Sequence, residues 1–298
     1  MKQRLIILFS FFLLAGILEY VYIEYVSVSF QYLQFYYEPN FLKFFEAKVF
    51  LVVLSFIIPK NINKPSDIIY LWFIIFPIVP LASIYWLKDE ARLFFYFVIT
   101  CVFLLRYLKE IKTFKIKKIK QNNYYGLFVS IFFTLIGISW FFASGAINNF
   151  NLNFAKVYEF RREVGRTLSF GILGYLSAWA YNVFSIYLLT YFFYKKKIFF
   201  VALMLLLQVF YFGVTSHKSV LFYPILILGF YYIFNKYKGI SRLVNSLNIL
   251  LLLFVILVIY TDFDFILSLG FRRAFFTTSR MHFDYYSIFS ELGHIYMS

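Results

Sequence analysis

The stretch ILLLLFVILVI, residues 249–259, lies within a window from 243 to 261 that contains no Asp, Glu, Lys or Arg. A helix needs roughly 20 apolar residues to cross the hydrocarbon core of a bilayer, and this window has about that length. Its apolar residues run continuously and do not alternate, which favours a helix over the strand of a membrane barrel. This stretch therefore predicts a transmembrane helix.

The whole chain has the composition of a membrane protein. Of its 298 residues, 62% are hydrophobic and 14% are charged, and the mean hydropathy is +0.77. A soluble domain of this length cannot bury so much apolar surface. We expect an all-α, polytopic bundle that forms a single membrane domain over residues 1–298. The predicted spans are roughly 5–23, 41–59, 68–87, 93–108, 124–143, 171–194, 198–214, 219–234 and 243–261.

The distribution of Lys and Arg predicts the orientation of these nine spans. The densest basic segments, above all the run from Lys109 to Lys120, fall on one side when the amino terminus is placed in the cytoplasm. Basic loops are retained on the cytoplasmic side of a membrane. The charge pattern therefore predicts a cytoplasmic amino terminus. No small-x-small cleavage site follows the first apolar run, so we expect an uncleaved first span.

The remaining composition excludes several function classes. The net charge of +15 is explained by loops that meet anionic headgroups, so we expect no nucleic-acid partner. The single cysteine, Cys101, cannot form an internal disulfide, and the three histidines lack the spacing of a metal motif. We expect neither a metal site nor a cofactor.

A first group of arginines runs against the charge bias, in the predicted outer loop 144–170. Arg161, Arg162, Glu163 and Arg166 lie there, and a helix over 155–166 would bring Arg162 and Arg166 to one face. The guanidinium fork suits phosphate oxygens. The alternative is a set of surface salt bridges that contact headgroups.

A second group lies in the predicted outer segment 262–298. Arg272, Arg273 and Arg280 occur there among aromatic residues, with His282 and Asp284 nearby. Arginines hold phosphates, aromatic faces stack on sugar rings, and a carboxylate or histidine can accept a proton from a hydroxyl. Loop 144–170 and segment 262–298 together form the predicted active face, and an interfacial amphipathic segment is the alternative for 262–298.

Three motifs resemble the Wzy-type polymerases of O-antigen and related polysaccharides, the oligosaccharide repeat unit polymerases. They are YEFRR at 158–162, GVTSHKS at 213–219, and FRRAFF at 271–276 leading to FDYYSIFS at 283–290. The chain departs from the Arg-x10-Gly spacing described for some members. Family members carry further spans after this point, so we expect the natural chain to extend beyond Ser298.

The resemblance implies a GT-C-like glycosyltransferase that needs no metal or cofactor and lies in a bacterial plasma membrane. Its active face would be periplasmic or extracellular, and its substrate an oligosaccharide linked to undecaprenyl pyrophosphate. A chain-length regulator and a flippase would be partners. The expected pyrophosphate-binding residues are Arg161, Arg162, Arg166, Arg272, Arg273, Arg280 and Lys218. The candidate bases are Glu163, Asp284 and His282, and the kinked apolar spans would form a groove for the polyprenyl tail.

Two other functions remain open at this point. An O-antigen ligase shares the chemistry and differs only in its acceptor. A flippase or transporter of the lipid-linked sugar requires ionisable residues buried along a pathway through the membrane. The third to ninth predicted spans contain almost none, which favours the enzyme.

Overall fold

The computed structural model describes residues 2–108, 111, 123–153, 160, 171–236, 239–261 and 267–292. Four of the predicted site residues, Arg161, Arg162, Glu163 and Arg166, lie outside the described residues, as does most of the basic run 109–120. The described residues form helices joined by turns, with one isolated bridge between Asn61 and Gly239.

A helix occupies each of the nine predicted spans. Their bounds are α1 Lys2–Ser29, α2 Phe41–Ile57, α3 Pro65–Leu87, α4 Arg92–Leu108, α5 Asn123–Ala143, α6 Gly171–Tyr194, α7 Ile198–Thr215, α8 Lys218–Lys236 and α9 Ile240–Thr261. In the described part of the chain, six are long and apolar enough to cross a membrane, namely α1, α3, α5, α6, α7 and α9. The chain is therefore an α-helical, multi-pass membrane protein, while the count of nine spans stays a prediction.

Two of the remaining three helices are short for a span, since α2 and α4 have 17 residues each. Prolines interrupt α3, where Pro77 lies in a π-helical turn, Ile74–Ile78. Proline cannot donate the hydrogen bond that an α-helix requires, and the wider turn accommodates this loss. After α9, a π-helical segment, Leu267–Phe276, leads into α10, Thr277–Leu292.

The chain divides into two compact units, Met1–Thr113 with Phe234–Ser298, and Phe114–Ile233. The expectation of a single membrane domain stays a prediction. In the first unit, α1 packs against α2, α3 and α9 around a continuous apolar core. Within this core the side chain of Asn248 in α9 donates a hydrogen bond to the carbonyl of Ser10, at 2.9 Å.

Contacts among helix ends and the loops between them define two ends of the first unit. At one end, the guanidinium of Arg4 donates to the carbonyl of Ser55 at 2.9 Å, and the amide of Ile240 donates to the carbonyl of Lys60 at 3.2 Å. At the other, the amide of Glu38 donates to the carbonyl of Leu87 at 2.9 Å. Residues 30–40, 87–90 and 267–292 meet at this second end, which we call the arginine end.

The second unit contains α5, α6, α7 and α8. The helices α5 and α6 pack closely through small residues, because Gly137 of α5 lies directly against Ala180 of α6. A Cβ on this glycine would lie 2.3 Å from the alanine methyl. An apolar cleft of about 500 Å³ opens between α5, α6 and α7, lined by side chains such as Leu135, Phe192 and Leu203.

Candidate functional site: arginines over an aromatic turn

The segment that carries the second arginine group is anchored by its own aromatic residues. Phe271, Phe275, Phe276 and Phe283 are all buried. The ring of Phe276 meets Tyr22 at a centroid distance of 5.2 Å, and that of Phe275 stacks on Phe76 at 5.1 Å. These four rings therefore have no free face for a sugar, contrary to the expected role of the aromatics between the arginines. Their contacts anchor the segment that carries the arginines.

Arg272 lies over the first turn after α1. Its guanidinium carbon is 4.6 Å from the ring centroid of Phe30, a cation–π contact, and its Nη2 donates to Ser268 Oγ at 2.7 Å. Its Nε is buried and has no hydrogen-bond partner among the described residues. A buried guanidinium donor without an acceptor is costly, and an anion could satisfy it.

The electrostatic setting of Arg272 also favours an anion. Burial lowers the pKa of Arg272, and the positive charge of neighbouring Arg273 lowers it further. The side chain of Arg273 is exposed. Two adjacent cations that repel each other are both stabilised by a negative charge placed between or beside them. This geometry suits a phosphate or pyrophosphate group.

Arg280 has a different environment, because the protein itself occupies its donors. Its Nε lies 2.8 Å from Asp284 Oδ2, its Nη1 donates to the carbonyl of Leu33, and its Nη2 donates to Gln34 Oε1 at 3.2 Å. Gln34 has a left-handed backbone, with φ of 62°. Arg280 thus ties α10 to the 3-10 turn Gln31–Leu33 and supports this uncommon conformation.

The two described candidate bases point to different faces of α10. Asp284 accepts from Arg280, whereas His282 is exposed and follows Arg280 by two residues, roughly 200° around the helix axis. The Nδ1 of His282 lies 2.6 Å from the carbonyl oxygen of Thr278. In the neutral ring Nδ1 therefore carries the proton, which leaves Nε2 as an acceptor.

Lys218 lies in the second unit and is the first residue of α8. Two residues before Lys218, Ser216 caps the end of α7 with a left-handed backbone, φ of 54°. The ring of His217 stacks on Tyr181 at a centroid distance of 5.9 Å. The structure thus groups Arg272 with Arg273, and Arg280 with Asp284, around residues 30–35.

The contribution of the first loop was not predicted from the sequence. The guanidinium carbon of Arg272 lies 4.6 Å from the ring centroid of Phe30, and that of Arg280 lies 5.1 Å from the ring centroid of Phe35. The only sequence signal was a run of aromatic residues between α1 and α2, which also fits interfacial anchoring.

A buried ion pair between α1 and α2 was missed as well. Lys48 Nζ lies 2.7 Å from each carboxylate oxygen of Glu19, whose Oε1 also accepts from Trp86 Nε1 at 3.0 Å and from Ser83 Oγ at 3.3 Å. Nearer the loop, Lys43 Nζ lies 2.6 Å from Asp89 Oδ1, and hydrogen bonding to Lys43 lowers the pKa of Asp89. Ionisable residues inside membrane helices are costly and are commonly functional.

The chain matches no protein-family model, and neither curated proteins nor solved structures show significant similarity to it. Membership of the polymerase family therefore stays a prediction. In the part of the chain that the structure describes, no three His, Cys, Asp or Glu side chains are grouped so that they could hold a metal ion.

Proposed function

We propose that the protein is a membrane glycosyltransferase that polymerises oligosaccharide repeat units carried on undecaprenyl pyrophosphate. The observation that carries the proposal is the Arg272–Arg273 pair, with the buried and unpartnered Nε of Arg272. Such a pair suits a diphosphate better than a neutral ligand. The product would be a surface polysaccharide made at the outer face of a bacterial plasma membrane.

In the proposed reaction, the bond between the anomeric carbon and the pyrophosphate oxygen breaks, and its electron pair stays on the pyrophosphate. The hydroxyl oxygen of the incoming repeat unit forms the new bond to that carbon, and its proton passes to a base. Negative charge grows on the leaving group, so fixed guanidinium groups stabilise the transition state more than the ground state. Asp284 is paired with Arg280, whereas His282 has Nε2 as an acceptor, so we take His282 as the base among the described candidates. Glu163 remains a second proposed base.

The apolar parts of the molecule fit a lipid-linked substrate. The cleft of about 500 Å³ in the second unit is lined almost wholly by apolar side chains of three helices long enough to span a membrane. It is suited to a long apolar chain such as that of a lipid. Arg161, Arg162, Arg166 and Lys218 remain proposed contributors to pyrophosphate binding, with a chain-length regulator and a flippase as proposed partners.

The proposal predicts a strong effect of Arg272→Ala in cells. Loss of one preorganised donor to a developing negative charge slows such reactions by about a hundredfold. We expect glycans that mostly carry a single repeat unit, measured by gel electrophoresis of surface polysaccharide, with the membrane level of the protein checked by immunoblot. Arg272→Lys keeps the charge without the fork and should be partly active.

The matched control is Arg242→Ala, which removes an exposed arginine at the start of α9, away from the arginine end. It should leave chain length unchanged. Long chains of normal yield from Arg272→Ala, at the membrane level of the unaltered protein, would contradict the proposal.

A transporter of the lipid-linked sugar is the second candidate, and the Glu19–Lys48 pair is the observation that favours it. Cells that lack the protein distinguish the possibilities. Single-repeat glycans at the surface indicate a lost polymerase, whereas the absence of all repeats indicates a lost flippase. Polymer that accumulates on the lipid carrier without transfer indicates a lost ligase.

A further inference from the structure

Tyr32 is an exposed aromatic residue beside the arginine pair. Its side chain is 76% exposed, and its ring lies 6.2 Å from the ring of Phe30, the residue on which Arg272 rests. An exposed aromatic ring thus lies one side chain away from the guanidinium of Arg272, with Phe30 next to both.

The backbone that carries Tyr32 is held from several sides. The amide of Leu33 donates to the carbonyl of Phe30 at 2.9 Å, and Arg280 binds the carbonyl of Leu33. Just after the turn, Phe35 is buried, and the hydroxyl of Tyr22 donates to the carbonyl of Tyr36 at 2.7 Å. A ring on a fixed backbone loses little entropy when it binds a ligand.

We propose that Tyr32 is a carbohydrate-binding residue that stacks on a sugar ring adjacent to the pyrophosphate held by Arg272 and Arg273. The inference rests on the proposed function and adds to it a subsite for the sugar. In a glycosyl pyrophosphate the first sugar is bonded directly to the phosphate. Its ring must therefore lie close enough to the arginines for a neighbouring side chain to contact it. Tyrosine suits this position, because its face is apolar and its hydroxyl can hydrogen-bond to the sugar.

Anchoring of Tyr32 in the headgroup layer of the bilayer is the competing role, since tyrosine is common there. Two substitutions separate the roles. Tyr32→Leu keeps apolar area for a bilayer but removes the aromatic face, whereas Tyr32→Phe keeps that face and removes only the hydroxyl.

The test measures binding of two lipids to the purified full-length protein in nanodiscs. One probe is undecaprenyl pyrophosphate, and the other is the lipid-linked oligosaccharide extracted from cells that lack the protein. We expect Tyr32→Leu to weaken binding of the sugar-bearing lipid about threefold to tenfold, as for the loss of one aromatic contact. Undecaprenyl pyrophosphate should bind this variant as it binds the unaltered protein, and Tyr32→Phe should retain most of the affinity for both lipids.

Arg272→Ala is the comparison variant, and it should weaken binding of both lipids. If Tyr32→Leu binds the sugar-bearing lipid normally, or loses both lipids equally, the sugar subsite is refuted while the pyrophosphate site stands. If the unaltered protein binds neither lipid, the proposed function itself is refuted. A fluorescence or calorimetric unfolding scan of each variant shows whether Tyr32→Leu leaves the fold intact.

Discussion

At the scale of single residues, the Glu19 carboxylate is notable because both of its oxygens accept hydrogen bonds from the protein. It accepts two hydrogen bonds from Lys48 and one each from Ser83 and Trp86, so three helices converge on one side chain. The ammonium of Lys48 also lies 4.9 Å from the ring centroid of Phe44. An ion pair in such surroundings is tolerated only when both partners are present.

We therefore predict that Glu19→Met destabilises the protein by roughly 3 kcal/mol, because Lys48 is left without its counter-ion among apolar side chains. The double variant Glu19→Met with Lys48→Met should recover most of the loss, since it removes both charges. Thermal unfolding in detergent measures the effect. A double variant as unstable as the single one would show that packing, and not charge, determines the result.

At the scale of the elements, the positions of the helices could be predicted, and the reason is physical. A backbone in hydrocarbon must satisfy its own hydrogen bonds, so long apolar windows such as 249–259 become helices. The segment Leu267–Phe276 could not be predicted as π-helical, because its hydrogen bonds differ from those of an α-helix by one residue. Nor does its sequence show that Phe275 and Phe276 are buried while Arg273 is exposed, since the rings that cover them come from α3 and α1.

Arg280 connects two elements, and its removal should loosen one of them. We predict that Arg280→Ala raises hydrogen exchange in residues 30–37, because the 3-10 turn loses the guanidinium that binds the carbonyl of Leu33 and the side chain of Gln34. Arg280→Lys should give an intermediate increase, since an ammonium cannot reproduce the fork. Exchange at the opposite end of α1, around Arg4, is the internal reference and should not change. Equal exchange in all three proteins would show that the turn does not depend on Arg280.

At the scale of the whole molecule, the sequence predicted which loops share a side of the membrane. The structure brings residues 30–40, 87–90 and 267–292 to one end of the first unit, in agreement with that grouping, while the side they face stays a prediction. Tyr32 and Arg272 are far apart in sequence, and no composition or spacing indicates that both lie next to Phe30. The same holds for Glu19 and Lys48, which lie in different helices and pair in the structure.

Cysteine labelling of intact cells tests this arrangement. In a Cys101→Ser background, which removes the one native cysteine, we expect Tyr32→Cys and Thr278→Cys to react with a membrane-impermeant maleimide. Lys60→Cys, at the opposite end, should react only after the membrane is permeabilised. Reaction of Lys60→Cys in intact cells, with protection of the other two, would reverse the orientation. Opposite behaviour of Tyr32→Cys and Thr278→Cys would contradict the common end.

The length of α1 bears on how deep in the bilayer the turn that follows it would contact a substrate. Its 28 residues rise about 42 Å, close to the full bilayer thickness of about 40–45 Å with headgroups, whereas the hydrocarbon core is about 30 Å. A helix of this length that begins at one headgroup layer would place the turn that follows it at the opposite layer of lipid phosphates. A lipid carrier could then reach the site by lateral diffusion and bind while its tail stays in the hydrocarbon. Each methylene group that need not be lifted into water avoids a cost of about 0.8 kcal/mol.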